Sequence, residues 1–216
     1  VDLPRQKRTE MYAMSKDEVA SFLATAKEDR WGTLFLLAVT TGMRPGEYMG
    51  LQWKDVNLDE GMIHVNKSLV RNKSEWRFDE PKTAKSRRTV KLAPTVVKSL
   101  RAHRSKQAAE RLRAGIRYQD YDLVFATDTG QPLESRNLIK RHFKPVLKQA
   151  GLRETIRLYD LRHTCATLLL AAGEHPKIVS EMLGHASIQL TLDTYSHVLP
   201  DMQQGAVAKL EDMLFS

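Results

Sequence analysis

The chain has 216 residues, of which 42% are hydrophobic, and this is enough apolar material for a packed core and too much for a disordered chain. Its 34 Lys and Arg residues outnumber 26 Asp and Glu residues, which gives a formal net charge of +8 and a pI of about 9.6. This balance favours a polyanionic partner, nucleic acid first, although a basic protein without such a partner would have the same composition.

The cysteine count and the apolar runs exclude two further classes of protein. The lone cysteine, Cys165, excludes an internal disulfide and a cysteine-rich zinc site. The longest apolar run, at 34–39, is too short to cross a membrane, and no signal peptide is visible. We therefore expect a cytoplasmic, nucleoid-associated protein without a membrane partner.

The first forty residues predict a linker followed by two helices. Residues 1–14 are polar and basic, and the chain begins without Met, so we expect a linker from a missing N-terminal DNA-binding region. Ser15 and Glu18 have the spacing of a capping box, which predicts a helix of about a dozen residues. The nearly all-apolar stretch at 31–40 predicts a second, buried helix.

The next stretch, TGMRPGE, places an arginine at a change of chain direction. Gly42 ends the apolar helix, and Pro45 is typical of the first turn of a new helix. Arg44 is thus predicted at a helix end beside a buried element, with Glu47 on the same face and able to orient the guanidinium. Taken alone, a surface arginine near a turn is the commoner explanation.

Over residues 53–92 the pattern changes to alternation, which predicts a small antiparallel sheet of two or three strands. A basic hairpin tip, PKTAKSRR, lies between the predicted strands. Lys82, Lys85, Arg87 and Arg88 in this tip are candidates for contact with a phosphate backbone, although charged turns are commonly only solvated. Lys82 could also donate a proton to a leaving oxygen.

Two longer helices are predicted at 94–113 and 134–149, with a short buried strand at 123–125 between them. The first helix is expected to turn Leu100 and Leu112 toward the core. Its outer face is heavily basic, and we expect part of this face to contact DNA backbone and most of it to be solvated.

The densest chemistry lies in residues 158–198, LYDLRHTCATLLLAAGEHPKIVSEMLGHASIQLTLDTYSHV. Arg162 and His163 begin an apolar helix, His185 follows a Leu-Gly turn, and Tyr195 is near the end of the stretch. A guanidinium can hold two phosphate oxygens, an imidazole can move a proton, and a phenol oxygen can form a covalent intermediate. Each residue alone has an ordinary structural explanation, whereas together they suit a site that holds a phosphate and attacks it.

The sequence contains no glycine-rich phosphate loop, no HExxH motif and no cluster of carboxylates able to hold a pair of magnesium ions. A phosphoryl-transfer site without such ligands must stabilise charge with Arg, Lys and His side chains. We therefore expect neither a metal nor a cofactor.

Five stretches, in order along the chain, resemble the catalytic domain of tyrosine recombinases, the integrases of phages and mobile elements. They are TGMRPGE, PKTAKSRRTV, LYDLRHT, LGHASIQLT and DTYSHV, and the match covers roughly residues 15–200. Each stretch alone is a weak signal, whereas five in the family's order are highly specific. The resemblance implies a set of catalytic residues and one supporting carboxylate: Arg44, Lys82, Arg162, His185, the nucleophile Tyr195, and Glu47.

The resemblance also implies the fold and the domain organisation. We expect an α+β fold that is mainly α-helical, the DNA breaking-rejoining fold, with a small antiparallel β-sheet. Residues 15–200 would form the catalytic domain. The amphipathic helix predicted within 201–216 would pack in cis or on a neighbouring protomer.

One position departs from the family's pattern. The signature usually written HxLRHT begins here with Tyr159, where the family's His is thought to manage the proton of the nucleophile. A phenol, with an ordinary pKa near 10, is a poor base at neutral pH but can bond a phosphate oxygen. His163 is expected to be structural and not a replacement, because it points about 100° away from Arg162 on a helix.

The function that the resemblance implies is site-specific recombination or integration of double-stranded DNA. Tyr195 would attack a DNA phosphate, form a 3′-phosphotyrosyl link and release a 5′-hydroxyl, without ATP or metal. Two alternatives stay open: a non-catalytic DNA-binding module with a decayed site, and a type IB topoisomerase-like enzyme that nicks and reseals. The implied partners are DNA attachment sites, further integrase protomers in a tetramer, and accessory DNA-bending or directionality factors.

Overall fold

The structure, a computed structural model, describes residues 11–72, 75–79, 87–196, 207 and 210–215. The helices are α1 (Lys16–Ala26), α2 (Gly32–Thr41), α3 (Pro45–Met49), α4 (Pro94–Ala114), α5 (Ser135–Leu138), α6 (Lys144–Gln149), α7 (Asp160–Ala171), α8 (Pro176–Leu183) and α9 (Ile188–Thr194). The strands are β1 (Val56–Asn57), β2 (Met62–Val65), β3 (Ser68–Asn72), β4 (Glu75–Asp79) and β5 (Arg88–Lys91). Residues 210–215 are also helical.

The first two helices begin and end as the sequence predicts. The Ser15 hydroxyl accepts from the Glu18 backbone N–H at 3.2 Å, and the Glu18 carboxylate accepts from the Ser15 N–H at 2.8 Å. This reciprocal pair satisfies two of the free donors at the start of α1. Helix α2 is apolar almost all round, so it is buried, and it ends at Gly42 in the left-handed conformation with φ of 61°.

Three phenylalanine rings form the centre of the larger core. Phe22 of α1, Phe35 of α2 and Phe143 are fully buried, and their ring centroids lie between 5.6 and 5.8 Å apart. Phe143 ends a π-helical turn, Ile139–Phe143, which joins α5 to α6. The helix predicted at 134–149 is therefore one helical run with a wider turn in its middle.

The strands form two sheets. In the first, β2 lies between β1 and β5, and both pairings are antiparallel. Ile63 and Val90 face each other in this sheet and are buried, as the alternation predicts. The second sheet is a separate hairpin of β3 and β4, which the sequence pattern did not reveal as a distinct unit.

Two local predictions were wrong. Leu112 is 84% exposed and not in the core, because it lies twelve residues, or about 120° around a helix, from the buried Leu100. Gln107 occupies the buried face of α4 instead, and its amide binds the carbonyl oxygens of residues 123 and 124. The segment 123–125 is buried as expected, but a single bridge from Gln52 replaces the predicted strand.

The three helices α7, α8 and α9 carry a second, smaller core of buried side chains: Ala166, Leu170, Val179, Leu183 and Tyr195. Helix α7 also packs against α2, which joins this core to the main one. The mainly helical α+β fold with small antiparallel sheets is confirmed. Over the part of the chain that the structure describes, no helix is both long and apolar enough to cross a membrane.

Gly42 tests how tightly the ends of α2 and α8 are packed. A methyl group at Gly42 would meet a Leu183 methyl carbon at 2.5 Å, and its φ is positive. Gly151 has a similar φ of 71° with nothing within 4 Å of an added methyl group. We expect Gly151→Ala to lower the free energy of unfolding by about 1 kcal/mol through backbone strain alone. Gly42→Ala should cost clearly more, because the overlap adds to that strain.

Urea unfolding of the two variants checks this difference. Equal losses would contradict the tight contact between the end of α2 and α8.

Candidate active site

Arg44 lies where α2 gives way to α3. Its backbone is extended, and Pro45 begins α3, as predicted. The Arg44 backbone N–H donates to Glu47 Oε2 at 2.7 Å, and Nη1 donates to Glu47 Oε1 at 2.9 Å. The side chain is 35% exposed, so part of the guanidinium remains open to solvent. The Glu47 carboxylate therefore orients Arg44 by accepting from both the backbone and the side chain of Arg44.

Arg162 in the first turn of α7 is buried, with 1% of its surface exposed. Its Nη1 donates to the carbonyl oxygens of Gly42 and Leu183, both at 2.8 Å. Burial, with a further contribution from Arg44, lowers the pKa of Arg162 to about 10, so the guanidinium is still charged at neutral pH. Its Nη2 is buried and has no hydrogen-bond partner among the described residues.

The C-terminal end of α8 holds three arginines. The carbonyl oxygens of residues 182–184 accept, in turn, from Arg88 Nε at 2.6 Å, Arg162 Nη1 at 2.8 Å and Arg44 Nη2 at 3.3 Å. Helix C-termini carry free carbonyl groups and partial negative charge, so they favour cations. Three cationic side chains from α7, β5 and the start of α3 are thereby drawn to one helix end.

Glu47 is the buried carboxylate of this cluster. Arg88 binds it with two hydrogen bonds, Nη1 to Oε1 at 3.0 Å and Nη2 to Oε2 at 2.8 Å, and both side chains are nearly inaccessible. Burial alone would raise the pKa of Glu47, but the hydrogen bonds and charges of Arg88 and Arg44 outweigh it and hold the pKa below its usual value. Glu47 is therefore ionised at neutral pH.

His185 follows α8 directly and is half-buried. Its Nδ1 lies 2.7 Å from the buried hydroxyl of Thr191, which leaves Nε2 as the ring nitrogen able to reach a ligand. Burial and the charges of Arg162, Arg44 and Arg88 lower the pKa of His185 to about 4, so the imidazole is neutral at pH 7. A neutral ring can donate one hydrogen bond to an anion.

Tyr195 caps the C-terminus of α9 and is 2% exposed. Its hydroxyl lies 3.0 Å from His163 Nδ1. Burial raises the pKa of Tyr195 above that of an ordinary phenol. The phenol is therefore protonated at neutral pH, and its reaction as a nucleophile requires a group that removes the proton.

His163 is the site residue that sequence reasoning missed. It was expected to point away from the site, but Tyr195 approaches α7 on the face that His163 occupies. Tyr159 lies one turn earlier on the same face, and the two ring centroids are 5.2 Å apart. The i, i+4 spacing of Tyr159 and His163 was the available signal, because such residues share a helix face. Tyr159 itself is 40% exposed at the start of α7.

Of the basic residues predicted in the tip, the structure describes Arg87 and Arg88. Lys82 and Lys85 lie outside the described residues. Arg87 is exposed just before β5, and its predicted contact with DNA stays a prediction. Arg88 is not a free basic side chain: it lies in β5, its guanidinium is 6% exposed, and it is paired with Glu47. Its contact with DNA stays a prediction, and the structure shows its pair with Glu47 inside the protein.

The arrangement suits the binding of an anion. Two guanidinium groups bind one carboxylate, and the third, that of the buried Arg162, has a nitrogen that lacks an acceptor among the described residues. A phosphate oxygen would satisfy that donor and the excess positive charge. Within the same part of the chain, no group of three or more His, Cys, Asp and Glu side chains is placed to hold a metal ion.

Comparison with known proteins agrees with this chemistry. The family model described as the phage integrase family matches residues 13–202. A tyrosine recombinase XerC-like protein of Caldanaerobacter subterraneus is 34% identical over 223 residues, and the ICEBs1 integrase of Bacillus subtilis is 32% identical over 212 residues. These alignments cover 97% and 96% of this chain but only 56% of each relative. The chain thus spans little more than half the length of these proteins.

Solved structures show the same fold. The Tn1549 transposon integrase, in complex with transposon right end DNA, matches with a TM-score of 0.79 and 22% identity, over 95% of this chain and 68% of that one. The XerA recombinase matches with a TM-score of 0.69 and 25% identity, over 92% of this chain and 66% of that one.

The pair of Arg88 and Glu47 yields a test of stability. Arg88→Gln leaves the buried carboxylate with Arg44 as its remaining hydrogen-bonded cation among the described residues. Breaking a buried pair in this way costs about 3 kcal/mol or more of unfolding free energy. Arg101→Gln is the matched control, because its pair with Asp59 has side chains 54% and 90% exposed and should contribute less than about 1 kcal/mol.

Chemical denaturation of both variants at neutral pH measures the two losses. Similar small losses would show that Arg88 does not support the cluster as described.

Proposed function

The chain belongs to the phage integrase family, and we propose that it is a tyrosine site-specific recombinase that cleaves and rejoins double-stranded DNA. The observation that carries the proposal is the buried Arg162, whose Nη2 lacks an acceptor among the described residues while Arg44 and His185 are held at the same helix end. The Tyr195 phenol lies against α7, the helix that carries Arg162. One phosphate would thus meet two guanidinium groups and an imidazole beside a nucleophile.

Each residue takes one role in this proposal. Arg44, Arg162 and the Nε2 of His185 bind the non-bridging oxygens of the scissile phosphate. Tyr195 attacks phosphorus and forms the 3′-phosphotyrosyl link, and the 5′-oxygen leaves with a proton from Lys82. The 5′-hydroxyl of a partner strand then attacks the link and restores the phosphodiester. The bond energy is kept in the protein–DNA ester between the two steps.

The fixed geometry of the arginines is what makes them effective. Hydrogen bonds to Glu47 and to the carbonyl oxygens at the end of α8 already orient these guanidinium groups. Little reorganisation is therefore needed as negative charge grows on the phosphate. Removing one such donor typically slows the reaction about 10²–10³-fold. Tyr159, exposed at the start of α7, can add a hydrogen bond to the phosphate. A phenol is a poor base at neutral pH, so Tyr159 is not suited to remove the proton of the nucleophile.

The basic outer face of α4 contributes to DNA binding only in part. Arg101 is paired with Asp59 and Arg111 with Asp120, so these charges are partly neutralised before DNA arrives. The remaining cations on this face and Arg87 would contact the DNA backbone, which makes affinity steeply salt-dependent. We further propose action in the nucleoid as a tetramer on two duplexes, with accessory factors and a further DNA-binding region. For such a region the relatives have room, because this chain spans 56% of the length of each.

The proposed function is tested by covalent trapping. The protein is incubated with a nicked duplex carrying its attachment core, with a chelator present, and a denaturant-resistant protein–DNA band is measured. We expect a band from the wild type and none from Tyr195→Phe. Arg162→Gln should form it at least about 10²-fold more slowly, through loss of one preorganised donor.

Other outcomes would change the conclusion. A band that survives Tyr195→Phe would exclude Tyr195 as the nucleophile. No band on the protein's own site would favour a non-catalytic DNA-binding module. Relaxation of any supercoiled plasmid without a specific site would favour a topoisomerase-like enzyme.

The C-terminal segment is the proposed contact between protomers. Its described apolar side chains are at least half exposed: Val207, Leu210, Met213, Leu214 and Phe215. Such a row of apolar residues is typical of a surface that a second molecule covers. We place it on a neighbouring protomer during assembly on DNA, and not in cis.

A charge in this row tests the assignment. Leu210→Glu should lower the yield of complexes with more than one protomer on DNA, measured by native gel or sedimentation, without changing the unfolding free energy. Leu112→Glu is the matched control, because Leu112 is 84% exposed on α4, and it should leave assembly unchanged. Loss of folding stability in Leu210→Glu would instead indicate packing in cis.

A further inference from the structure

The hydrogen bond between Tyr195 and His163 joins two groups that the resemblance to tyrosine recombinases does not connect. The Tyr195 hydroxyl is 3.0 Å from His163 Nδ1, and no other hydrogen bond to this phenol is found among the described residues. The two rings are 6.0 Å apart and tilted by 55°, so the contact is made through these polar atoms and not by stacking. Within the part of the chain that the structure describes, His163 is therefore the side chain placed to receive the proton of the phenol.

The imidazole of His163 is in the state that a proton acceptor needs. It is 8% exposed, and burial lowers its pKa, with Arg162 and Arg157 lowering it further and Asp160 opposing them. The ring is thus neutral at pH 7 and has a lone pair on one nitrogen. With the hydrogen on Nε2, that lone pair is on Nδ1 and accepts from the Tyr195 hydroxyl.

The other candidate bases are less well placed. Nδ1 of His185 is already bonded to Thr191, and its neutral ring is turned to the anion site. Tyr159 is a phenol itself, so it is no stronger a base than the group it would deprotonate. Its ring lies 5.2 Å from that of His163, which makes it a neighbour of the base.

We propose that His163 accepts the proton of Tyr195 during strand cleavage. The inference rests on the proposed function. As the bond from Tyr195 Oη to phosphorus forms, the bond from phosphorus to the 5′-oxygen breaks. The phenolic proton passes to His163 Nδ1, and the 5′-oxygen takes a proton from Lys82. In rejoining, the neutral Lys82 takes the proton of the attacking 5′-hydroxyl, and His163 returns its proton to Tyr195 as the tyrosine leaves.

The position of His163 on α7 supports this role. His163 directly follows Arg162, so the base and one phosphate ligand belong to a single turn of a rigid helix. A phosphate bound by Arg162 is therefore held at a fixed distance from the base whenever DNA is bound. The nucleophile, Tyr195, comes from a different element, the end of α9.

The test compares two substitutions with the wild type in the covalent trapping reaction. His163→Asn keeps an oxygen acceptor near the position of Nδ1 but cannot take up a proton, whereas His163→Ala removes both. We expect both variants to cleave at least about 10²-fold more slowly than the wild type, because general base catalysis contributes 10²–10⁴-fold. His64→Asn, an exposed histidine on β2, is the matched control and should cleave at the wild-type rate.

A second measurement separates proton transfer from a structural effect. A fluorinated, more acidic tyrosine at position 195 needs less help from a base, so it should restore much of the rate lost in His163→Asn. A substrate with sulfur as the 5′-bridging atom has a better leaving group and should rescue Lys82→Ala but not His163→Asn. If His163 had a merely structural role, the rate of His163→Asn relative to the wild type would be unchanged both with the acidic tyrosine and with the sulfur substrate.

The outcomes are distinguishable. A wild type that forms no Tyr195-dependent adduct overturns the proposed function and this inference with it. If the wild type is active, two results overturn the inference alone. One is a His163→Asn variant that cleaves at the wild-type rate, and the other is a His163→Asn variant that the acidic tyrosine does not rescue. Faster cleavage in His163→Ala would also overturn it, because the imidazole would then be holding the phenol back.

Discussion

The site depends on three like charges that meet at one helix end. Arg44, Arg162 and Arg88 come from three separate elements, and they are held together by Glu47 and by the carbonyl oxygens of residues 182–184. Buried cations repel one another and lose hydration, so they stay together only where acceptors are supplied. The acceptors satisfy most of these donors but leave Nη2 of Arg162 without one among the described residues. That incomplete satisfaction is a physical reason for the site to bind an anion.

The two histidines of the site are both neutral, but they contact different groups. His185 is kept neutral by burial and by the arginines, and its Nδ1 is engaged by Thr191. It is therefore a hydrogen-bond donor to an anion. His163 is kept neutral mainly by burial, and its Nδ1 faces Tyr195. In the proposed reaction one histidine serves the phosphate and the other the nucleophile, and this division is argued from what each ring nitrogen already contacts.

Arg88 joins the basic tip to the site. It begins β5, directly after the segment that carries Lys82, and its guanidinium lies against both Glu47 and the end of α8. Gly184 makes this approach possible, because a methyl group there would lie 3.0 Å from the Arg88 side chain. An arginine taken for a DNA contact in the sequence therefore acts inside the protein.

The sequence by itself determined the α+β class, most helix bounds near the site and the candidate residues Arg44, Glu47, Arg162, His185 and Tyr195. The helix bounds follow from helical spacing and capping residues, whereas the class and the candidate residues are what the resemblance of five ordered motifs to tyrosine recombinases implies; all of these are short-range properties of the chain. Only the tertiary structure decided that Arg88 is buried and that His163 meets Tyr195. Both depend on which face of an element a distant segment packs against, with 41 residues separating Glu47 from Arg88 and 32 separating His163 from Tyr195. Local periodicity carries no information about such a partner, because contact between distant segments is set by the packing of the whole core.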